Sequence, residues 1–334
     1  MLEKVKLGNT GLEVNRICLG CGSFGGTVNE ENANAQMDYF RAHGGIFLDT
    51  AVVYTDWYEG ERSASQHFIG RWLKKHNCRH EMTLSVKGCN PDIITPTNNM
   101  ATATRTGPRV GRKFIVEDIE RSMQNLGTDY LDIFTLHKDD ESVPVAEILE
   151  TLQEQKARGV IRAYGCSNWR VPRQREAYAY AKAHGLDGFC IDQTRWCLNH
   201  YAPTASGNKT DAVMDAASYA FHRESGIGVM AYGANGRGYF QNVAHGIDVR
   251  AADHKEYDCP ENDAILAVLK QASAETGAEV NTLVLRYLLL DHGFQTVPII
   301  GCKTIGELEM NLAAMDAPLP DVYAQKLQAL RPLA

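Results

Sequence analysis

The chain has 334 residues, of which 44% are hydrophobic and 22% are charged, and its formal net charge is −7. These proportions are ordinary for a globular protein and allow one large α/β barrel or two domains of common size. No Lys/Arg-rich run suggests nucleic acid as a partner, and no apolar stretch approaches the roughly 20 residues that span a bilayer, so we expect neither nucleic acid nor membrane as a partner.

The amino-terminal residues and the cysteines indicate the compartment. The first residues, MLEKVKLGNTGLEV, contain no long apolar core of a signal peptide, and the nine cysteines are odd in number and widely spaced. We therefore expect a cytoplasmic protein with reduced thiols. Cys18 and Cys21 form a Cys-x-x-Cys pair, but a zinc site needs a second pair, so we expect a strand end there and no metal.

The sequence begins with a predicted β-hairpin, VKLGNTGLEV, and then alternates short apolar runs with helical patterns. Continuous apolar runs of this length are typical of strands that are buried on both faces. The eight runs cover 16–20, 46–50, 82–87, 130–137, 161–167, 189–194, 227–232 and 296–301.

Helical periodicity fills the segments between the runs, and several of these segments end at a glycine, which is a common helix stop signal. Eight strand-and-helix units predict a (β/α)8 TIM barrel with an N-terminal β-hairpin and extra C-terminal helices, in one domain that covers 1–334. The predicted helices are 33–43, 63–76, 116–126, 145–157, 173–184, 211–223, 262–276, 280–292, 306–314 and 321–330.

Three connections are unusually long for a barrel, at 88–114, 197–210 and 233–260. All three follow predicted strands, so they belong to the end of the barrel where active sites lie. We expect them to shape a substrate pocket; the alternative is that they are disordered surface insertions.

Four ionisable residues sit at or just after the ends of predicted strands: Asp49, Tyr54, Lys87 and His137. Each alone has an ordinary structural explanation. Together they suit proton donation, because an ammonium lowers the pKa of a neighbouring phenol and a carboxylate keeps that ammonium charged. An imidazole beside the phenol can donate to a carbonyl oxygen. This combination suits reduction of a carbonyl by hydride from a cofactor.

The chain resembles the aldo-keto reductase family, in its bacterial-type form, over nearly its whole length. The resemblance rests on seven segments in the family's order. They are KLGNTGLEVNRICLGCGSFGG, FLDTAVVY, SVKG, LGTDYLDIFTLHKDD, GVIRAYGCSNW, AYGANGRG and PIIGCKTIGELEMNL.

The resemblance implies the roles of the four residues. Tyr54 is the expected general acid in reduction or base in oxidation, Lys87 and Asp49 are expected to lower its pKa, and His137 is expected to orient the substrate carbonyl. It also implies a nicotinamide dinucleotide that lies extended across the barrel mouth. The expected cofactor-binding residues are Gly22, Ser23, Asp49, Ser167, Asn168, Gln193, Tyr232, Gly233, Asn235, Gly236, Arg237, Gly238, Gly301, Lys303, Thr304, Glu307 and Asn311.

The segment expected at the adenosine end departs from the family pattern. Lys303 suits the 2′-phosphate of NADP(H), whereas Glu307 replaces a common Gln or Arg and suits a 2′-hydroxyl. Met310 replaces the acidic residue that often precedes the Asn. We expect NADP(H), with NAD(H) as the alternative.

The substrate is expected to be a small carbonyl compound, polar and sugar-like or a hydroxy-carbonyl. Trp57, Tyr58, Trp169 and Trp196 are candidate substrate-contacting residues; the alternative for each is simple packing. A different functional class, a nicotinamide-binding redox sensor or regulatory subunit with little turnover, stays open. A barrel hydrolase would need paired carboxylates or a metal cluster, and Asp49 has no acidic partner at a strand end. Nothing in the sequence decides the oligomeric state.

Overall fold

The computed structural model describes residues 2–8, 10–202 and 211–333. Eight parallel strands form a closed barrel in the order β3-β4-β5-β8-β9-β10-β11-β12, and β12 pairs with β3 to complete it. This confirms the predicted (β/α)8 barrel. The barrel strands are β3 (Cys18–Gly20), β4 (Phe47–Ala51), β5 (Thr83–Gly88), β8 (Leu131–Leu136), β9 (Ile161–Ser167), β10 (Ile191–Arg195), β11 (Gly228–Tyr232) and β12 (Thr296–Ile300).

The N-terminal hairpin is also confirmed: β1 (Lys4–Lys6) and β2 (Glu13–Asn15) pair in antiparallel fashion ahead of the barrel. Leu7 and Val14 of this hairpin are buried in an apolar cluster inside the amino-terminal end of the barrel. The cluster also contains Cys190, directly before β10, and the strand residues Cys18, Phe47, Ile133, Ala163, Ile191, Met230 and Val297.

Helices surround the barrel and pack their apolar faces on the outer faces of the strands, in one large buried cluster. The helices of the described residues are α1 (Glu30–Ala42), α2 (Ala64–His76), α3 (Arg112–Leu126), α4 (Val145–Ala157), α5 (Val171–His184), α6 (Ala216–Ser225), α7 (Tyr239–Ala244), α8 (Ala251–Tyr257), α9 (Pro260–Thr276), α10 (Val280–Leu288), α11 (Ile305–Leu312) and α12 (Asp321–Leu330).

Four predicted helix boundaries differ from the structure by three to five residues: the helices predicted from 33 and 116 begin earlier, at Glu30 and Arg112, and local hydrogen bonds explain the other two. The helix predicted for 211–223 begins at Ala216, because Asp215 caps it by accepting from Ser218 N at 2.8 Å. The helix predicted for 280–292 ends at Leu288, and the imidazole of His292 instead lies 3.1 Å from the carbonyl oxygen of Tyr287. Apolar periodicity continues through both segments, so the pattern alone does not reveal these ends.

The long connections follow barrel strands, as predicted. The 88–114 segment contains a small antiparallel sheet of β6 (Ile93–Thr95) and β7 (Thr104–Arg105). The 233–260 segment contains the helices α7 and α8. The prediction for 197–210 lies partly outside the described residues.

Candidate active site

The centre of the carboxyl-terminal end of the barrel is a buried ion pair. Asp49 of β4 and Lys87 of β5 are 1% and 2% exposed, and Lys87 Nζ donates to Asp49 Oδ2. The other carboxylate oxygen accepts from Ser85 Oγ at 2.9 Å and from Gln193 Nε2 at 2.7 Å. Both oxygens of Asp49 are therefore bound, which compensates for the cost of burying the charge.

Ser85 belongs to this network although the sequence analysis did not select it. It faces Asp49 in the register of β4 and β5, and its hydroxyl also accepts from Gln193 Nε2 at 2.9 Å. The signal was available, since Ser85 lies two residues before Lys87 and alternate residues of a strand point to the same face.

Burial opposes the protonation of Lys87, but the nearby Asp49 carboxylate and Tyr54 phenol outweigh it, and the pKa of Lys87 is raised. The ammonium therefore stays charged at neutral pH.

Tyr54 lies in the turn after β4 and is half-buried. Lys87 Nζ is 4.9 Å from the centroid of its ring. Burial raises the pKa of Tyr54, Lys87 lowers it, and Asp49 raises it, with a net increase above the ordinary value. A carboxylate disfavours a nearby phenolate, so the expected contribution of Asp49 to Tyr54 is indirect, through the charge of Lys87.

His137 follows β8 and contacts Tyr54. The two rings meet edge to face, with centroids 5.8 Å apart and planes at 85°. The backbone N–H of His137 donates to Gly88 O at 2.8 Å, which holds the residue beside the end of β5. Burial lowers the pKa of His137 well below its ordinary value, and Lys87, Lys138 and Arg105 lower it further. The imidazole is therefore neutral at pH 7, and its Nδ1 is buried without a partner.

A second hydrogen-bonded group lines the neighbouring side of the mouth. Tyr232 donates its hydroxyl to Asn168 Oδ1 at 2.7 Å, and Asn168 Nδ2 donates to Ser167 Oγ at 3.0 Å and to His137 O at 3.1 Å. Ser167 Oγ donates to Gln193 O at 2.8 Å. The structure thus brings together four of the residues predicted to face the nicotinamide, and it links them to the predicted catalytic residues through Gln193 and His137.

Several glycines border this group of side chains. A Cβ on Gly22 would lie 3.4 Å from Cε2 of Tyr54, and the neighbouring Ser23 is half-buried. Gly233, Gly236 and Gly238 all have positive φ in the turn after β11. Glycine permits this left-handed backbone at no steric cost.

Arg237, in the same turn, is paired with carboxylates of α8. Its Nε lies 2.5 Å from Asp253 Oδ1, and its Nη2 also pairs with Glu256. Burial lowers the pKa of this guanidinium, but the two carboxylates outweigh it and the net pKa is raised. Asn235, two residues earlier, is half-buried in the same turn.

The segment after β12 lies at the same end of the barrel, between the ends of β11 and β3. A Cβ on Gly301 would meet nothing within 4 Å, so the backbone there is open. Thr304 caps α11, and Glu307 accepts from the backbone N–H of Lys303 at 2.7 Å. Asn311 is 3% exposed and is bound by Asn281 Nδ2 at 2.6 Å, so its side chain already has a partner inside the protein.

The four aromatic candidates for substrate contact separate into two pairs. Trp57 and Tyr58 are half-buried, with ring centroids 6.0 Å apart. Trp169 and Trp196 are 0% and 1% exposed and pack against Phe189 and against Tyr219, respectively. For Trp169 and Trp196 the structure therefore supports the alternative of simple packing, because both lie in the large buried cluster between strands and helices.

The Cys-x-x-Cys pair is part of the interior. Cys18 and Cys21 are both fully buried, and burial raises the pKa of each thiol well above its ordinary value. Among residues 2–8, 10–202 and 211–333, no group of three or more His, Cys, Asp and Glu side chains is placed to hold a metal ion.

In the part of the chain that the structure describes, every helix is too short or too polar to cross a membrane.

Several known proteins are similar to this chain over most of its length. Norsolorinic acid reductase stcV of Emericella nidulans is 28% identical over 93% of this chain and 76% of its own length. The uncharacterized oxidoreductase YrpG of Bacillus subtilis is 26% identical over 99% of this chain and 96% of its own length. The aldo-keto reductase YhdN of the same bacterium is 25% identical over 92% and 87%. The model of the aldo/keto reductase family matches residues 16–332, and the chain belongs to this family of NAD(P)H-using oxidoreductases.

Proposed function

We propose that the protein reduces an aldehyde or ketone to an alcohol, or catalyses the reverse reaction, with Tyr54 as the general acid or base. The observation that supports this most strongly is the buried Lys87–Asp49 pair beside the Tyr54 ring. A permanently charged ammonium beside a phenol makes the phenolate less costly, so the hydroxyl can give its proton to an alkoxide oxygen as that oxygen forms.

The side chains at the mouth fit a nicotinamide dinucleotide. Ser167, Asn168 and Gln193 present amide and hydroxyl groups suited to a carboxamide, and Tyr232 offers a ring face for stacking. When bound, the reduced nicotinamide would supply hydride to the substrate carbon. The open backbone at Gly301 leaves room for the rest of the dinucleotide. Gly236 and Arg237 would hold its diphosphate; Arg237 would then exchange a carboxylate partner for phosphate oxygens.

The proton is moved by the protein's own residues. Tyr54 holds it at its phenolic oxygen, because burial keeps the pKa of this group above its ordinary value in spite of Lys87. His137, neutral and edge-on to Tyr54, would direct a carbonyl oxygen toward that hydroxyl by donating a hydrogen bond. Asp49 and Ser85 hold Lys87 and Gln193 in place.

We propose NADP(H) as the preferred cofactor, with NAD(H) as the alternative. The exposed Lys303 can pair with a 2′-phosphate. Glu307 opposes that preference by its charge, but its carboxylate already accepts from the Lys303 backbone N–H. This contact directs part of the carboxylate toward the start of α11 rather than toward a ligand.

We propose a small sugar-like or hydroxy-carbonyl substrate that packs on Trp57 and Tyr58. The relative stcV of Emericella nidulans is named as a reductase of norsolorinic acid. The panel of carbonyl compounds in the experiment should therefore include norsolorinic acid beside sugar-like compounds.

The test has two steps. The purified protein is titrated with NADPH and NADH while tryptophan fluorescence is followed, and nicotinamide absorbance is then monitored with aldehydes, ketoses and aromatic ketones. We expect saturable binding, tighter for NADPH, and cofactor oxidation with some of the carbonyl compounds. Tight binding without any turnover would favour the redox-sensor alternative, and the absence of binding to either nucleotide would refute the proposal.

A further inference from the structure

Six charged side chains form a continuous cluster at the base of the loops that follow β4 and β5, outside the proposed reaction site. We call it the anchor cluster, and it contains equal numbers of carboxylates and guanidinium groups. Its members are Asp56, Asp92, Asp118, Arg62, Arg109 and Arg121.

One end of the anchor cluster fixes the loop that carries Tyr54. Asp56, two residues after Tyr54, is 1% exposed and accepts from the backbone N–H of Ser63 at 2.6 Å. Its second oxygen lies 3.7 Å from Arg62 and 3.8 Å from Arg121. The bond from Ser63 to Asp56 therefore closes the loop between Tyr54 and the start of α2, and Arg121 attaches this loop to α3.

The backbone of this loop is strained. Thr55, directly after Tyr54, has φ of 71°, and Ser63 has φ of 52°. A β-branched residue rarely adopts this left-handed conformation, and it persists only where its surroundings enforce it. The Thr55 hydroxyl donates to the carbonyl of Tyr54 at 2.5 Å, and the Asp56–Ser63 bond holds the other side of the loop.

The other end of the anchor cluster reaches the strand that carries Lys87. Arg121 Nη1 lies 3.1 Å from Asp92. Arg109 bridges two carboxylates: it lies 2.9 Å from Asp92 and 2.8 Å from Asp118. Asp118 accepts from the backbone N–H of Cys89 at 2.7 Å. Cys89 comes two residues after Lys87, so one chain of contacts joins the loop of Tyr54 to the end of β5.

We propose that Arg121 is a positioning residue: by joining Asp56 to Asp92 it fixes the separation of the Tyr54 phenol and the Lys87 ammonium. This inference rests on the roles proposed above for Tyr54 and Lys87. Arg121 does not touch the reacting groups and acts through the two loops. Without it, the half-exposed Arg62 is the one remaining cation that the described residues place beside the buried Asp56, and Asp92 loses its connection to that carboxylate. The strained loop, held then by Arg62 and the Ser63 backbone N–H, can relax away from Lys87.

The titratable and charged groups around Tyr54 come from several elements, and Arg121 is not one of them. Any effect of Arg121 on the phenol must therefore come mainly from a change in position. The groups are Asp49 of β4, Lys87 of β5, Cys21 after β3, His137 after β8 and Tyr232 of β11.

The experiment is a titration of the Tyr54 phenol in the full-length protein. Phenolate absorbance is measured against pH, and the curve of a matching Tyr54→Phe protein is subtracted to isolate Tyr54. In Arg121→Gln we expect the transition to move to higher pH by about one unit, because Lys87 stabilises the phenolate less well at a greater distance. Arg121→Lys, which keeps the charge but cannot bridge two carboxylates equally well, should shift it less.

The matched control is Arg112→Gln. Arg112 lies on α3 like Arg121, but at the first residue of the helix, and its pair with Glu154 of α4, 2.7 Å long, is broken by the substitution. It should leave the titration unchanged. Asp92→Asn weakens the next link without removing a partner of the buried Asp56, so it serves if Arg121→Gln does not fold, and it should shift the titration in the same direction. An unchanged titration in folded Arg121→Gln or Asp92→Asn would overturn the inference.

This readout needs neither cofactor nor substrate. Failure of the wild-type protein to reduce any carbonyl would refute the proposed function, whereas an unmoved phenol titration would refute only the positioning role. If turnover is observed, Arg121→Gln should lower kcat/KM about tenfold, in line with one pKa unit, and leave the Kd for NADPH within about twofold.

Discussion

The side chains at the two ends of the barrel interior are equally buried, but those at one end are apolar and those at the other are charged. At the amino-terminal end, Leu7 and Val14 are 1% and 0% exposed and pack among apolar strand residues. At the carboxyl-terminal end, Asp49 and Lys87 are just as buried but charged. Burying an apolar side chain stabilises a protein by about 1.5–3 kcal/mol, whereas burying an ion pair is neutral or costly. The first end therefore supports the fold, and the second depends on that support.

Tyr54→Phe should have the largest effect, because it changes activity at the charged end while leaving the stability of the fold nearly unchanged. We expect kcat/KM for carbonyl reduction to fall by about 10³-fold or more, because the proton donor is lost. The free energy of unfolding should change by less than about 1.5 kcal/mol, since only one hydroxyl is removed. Steady-state kinetics, nucleotide titration and urea unfolding check this prediction. Near wild-type reduction by the variant would show that Tyr54 is not the acid.

The converse change is Leu7→Ala in the apolar end. We expect the free energy of unfolding to fall by about 2–5 kcal/mol, as is usual for a buried leucine. Because the hairpin is remote from the proposed site, kcat/KM at a temperature where the variant is folded should stay within about twofold of wild type. Urea unfolding and kinetics on the same sample test both parts. A large loss of activity in the folded variant would mean that the two ends are energetically coupled.

The smallest expected effect concerns His137 and pH. Burial, with Lys87, Lys138 and Arg105, lowers the pKa of His137 in the folded protein, whereas the unfolded chain binds a proton below about pH 6.5. The unfolded state is therefore favoured as pH falls, and by pH 5.5 His137 costs at most about 1.4 kcal/mol of stability. His137→Gln removes this cost, so its free energy of unfolding should fall less than that of wild type between pH 7.5 and 5.5.

Urea unfolding of both proteins at the two pH values provides the measurement. Parallel losses of stability would show that His137 is protonated equally in the folded and unfolded states.

Most of the barrel was predictable from the sequence because its signals are local. Strands buried on both faces appear as short apolar runs, and the residues that close these runs, such as Asp49 and Lys87, necessarily reach one end of a parallel barrel. The pairing of these two residues confirms that expectation. Helix ends such as Leu288 were less predictable, because a side-chain contact from His292 lies beyond the helical pattern.

The sequence by itself determined the family, the barrel and the place of Asp49 and Lys87 at the carboxyl-terminal end of its strands, since these depend on motif spacing and hydrophobic periodicity. Only the tertiary structure decided which side chains meet. It joined Gln193 to Asp49 across 144 positions of sequence, buried Trp169 and Trp196, and linked the loop of Tyr54 to β5 through Arg121. Such contacts depend on the direction of each side chain after closure of the barrel, which local patterns do not encode.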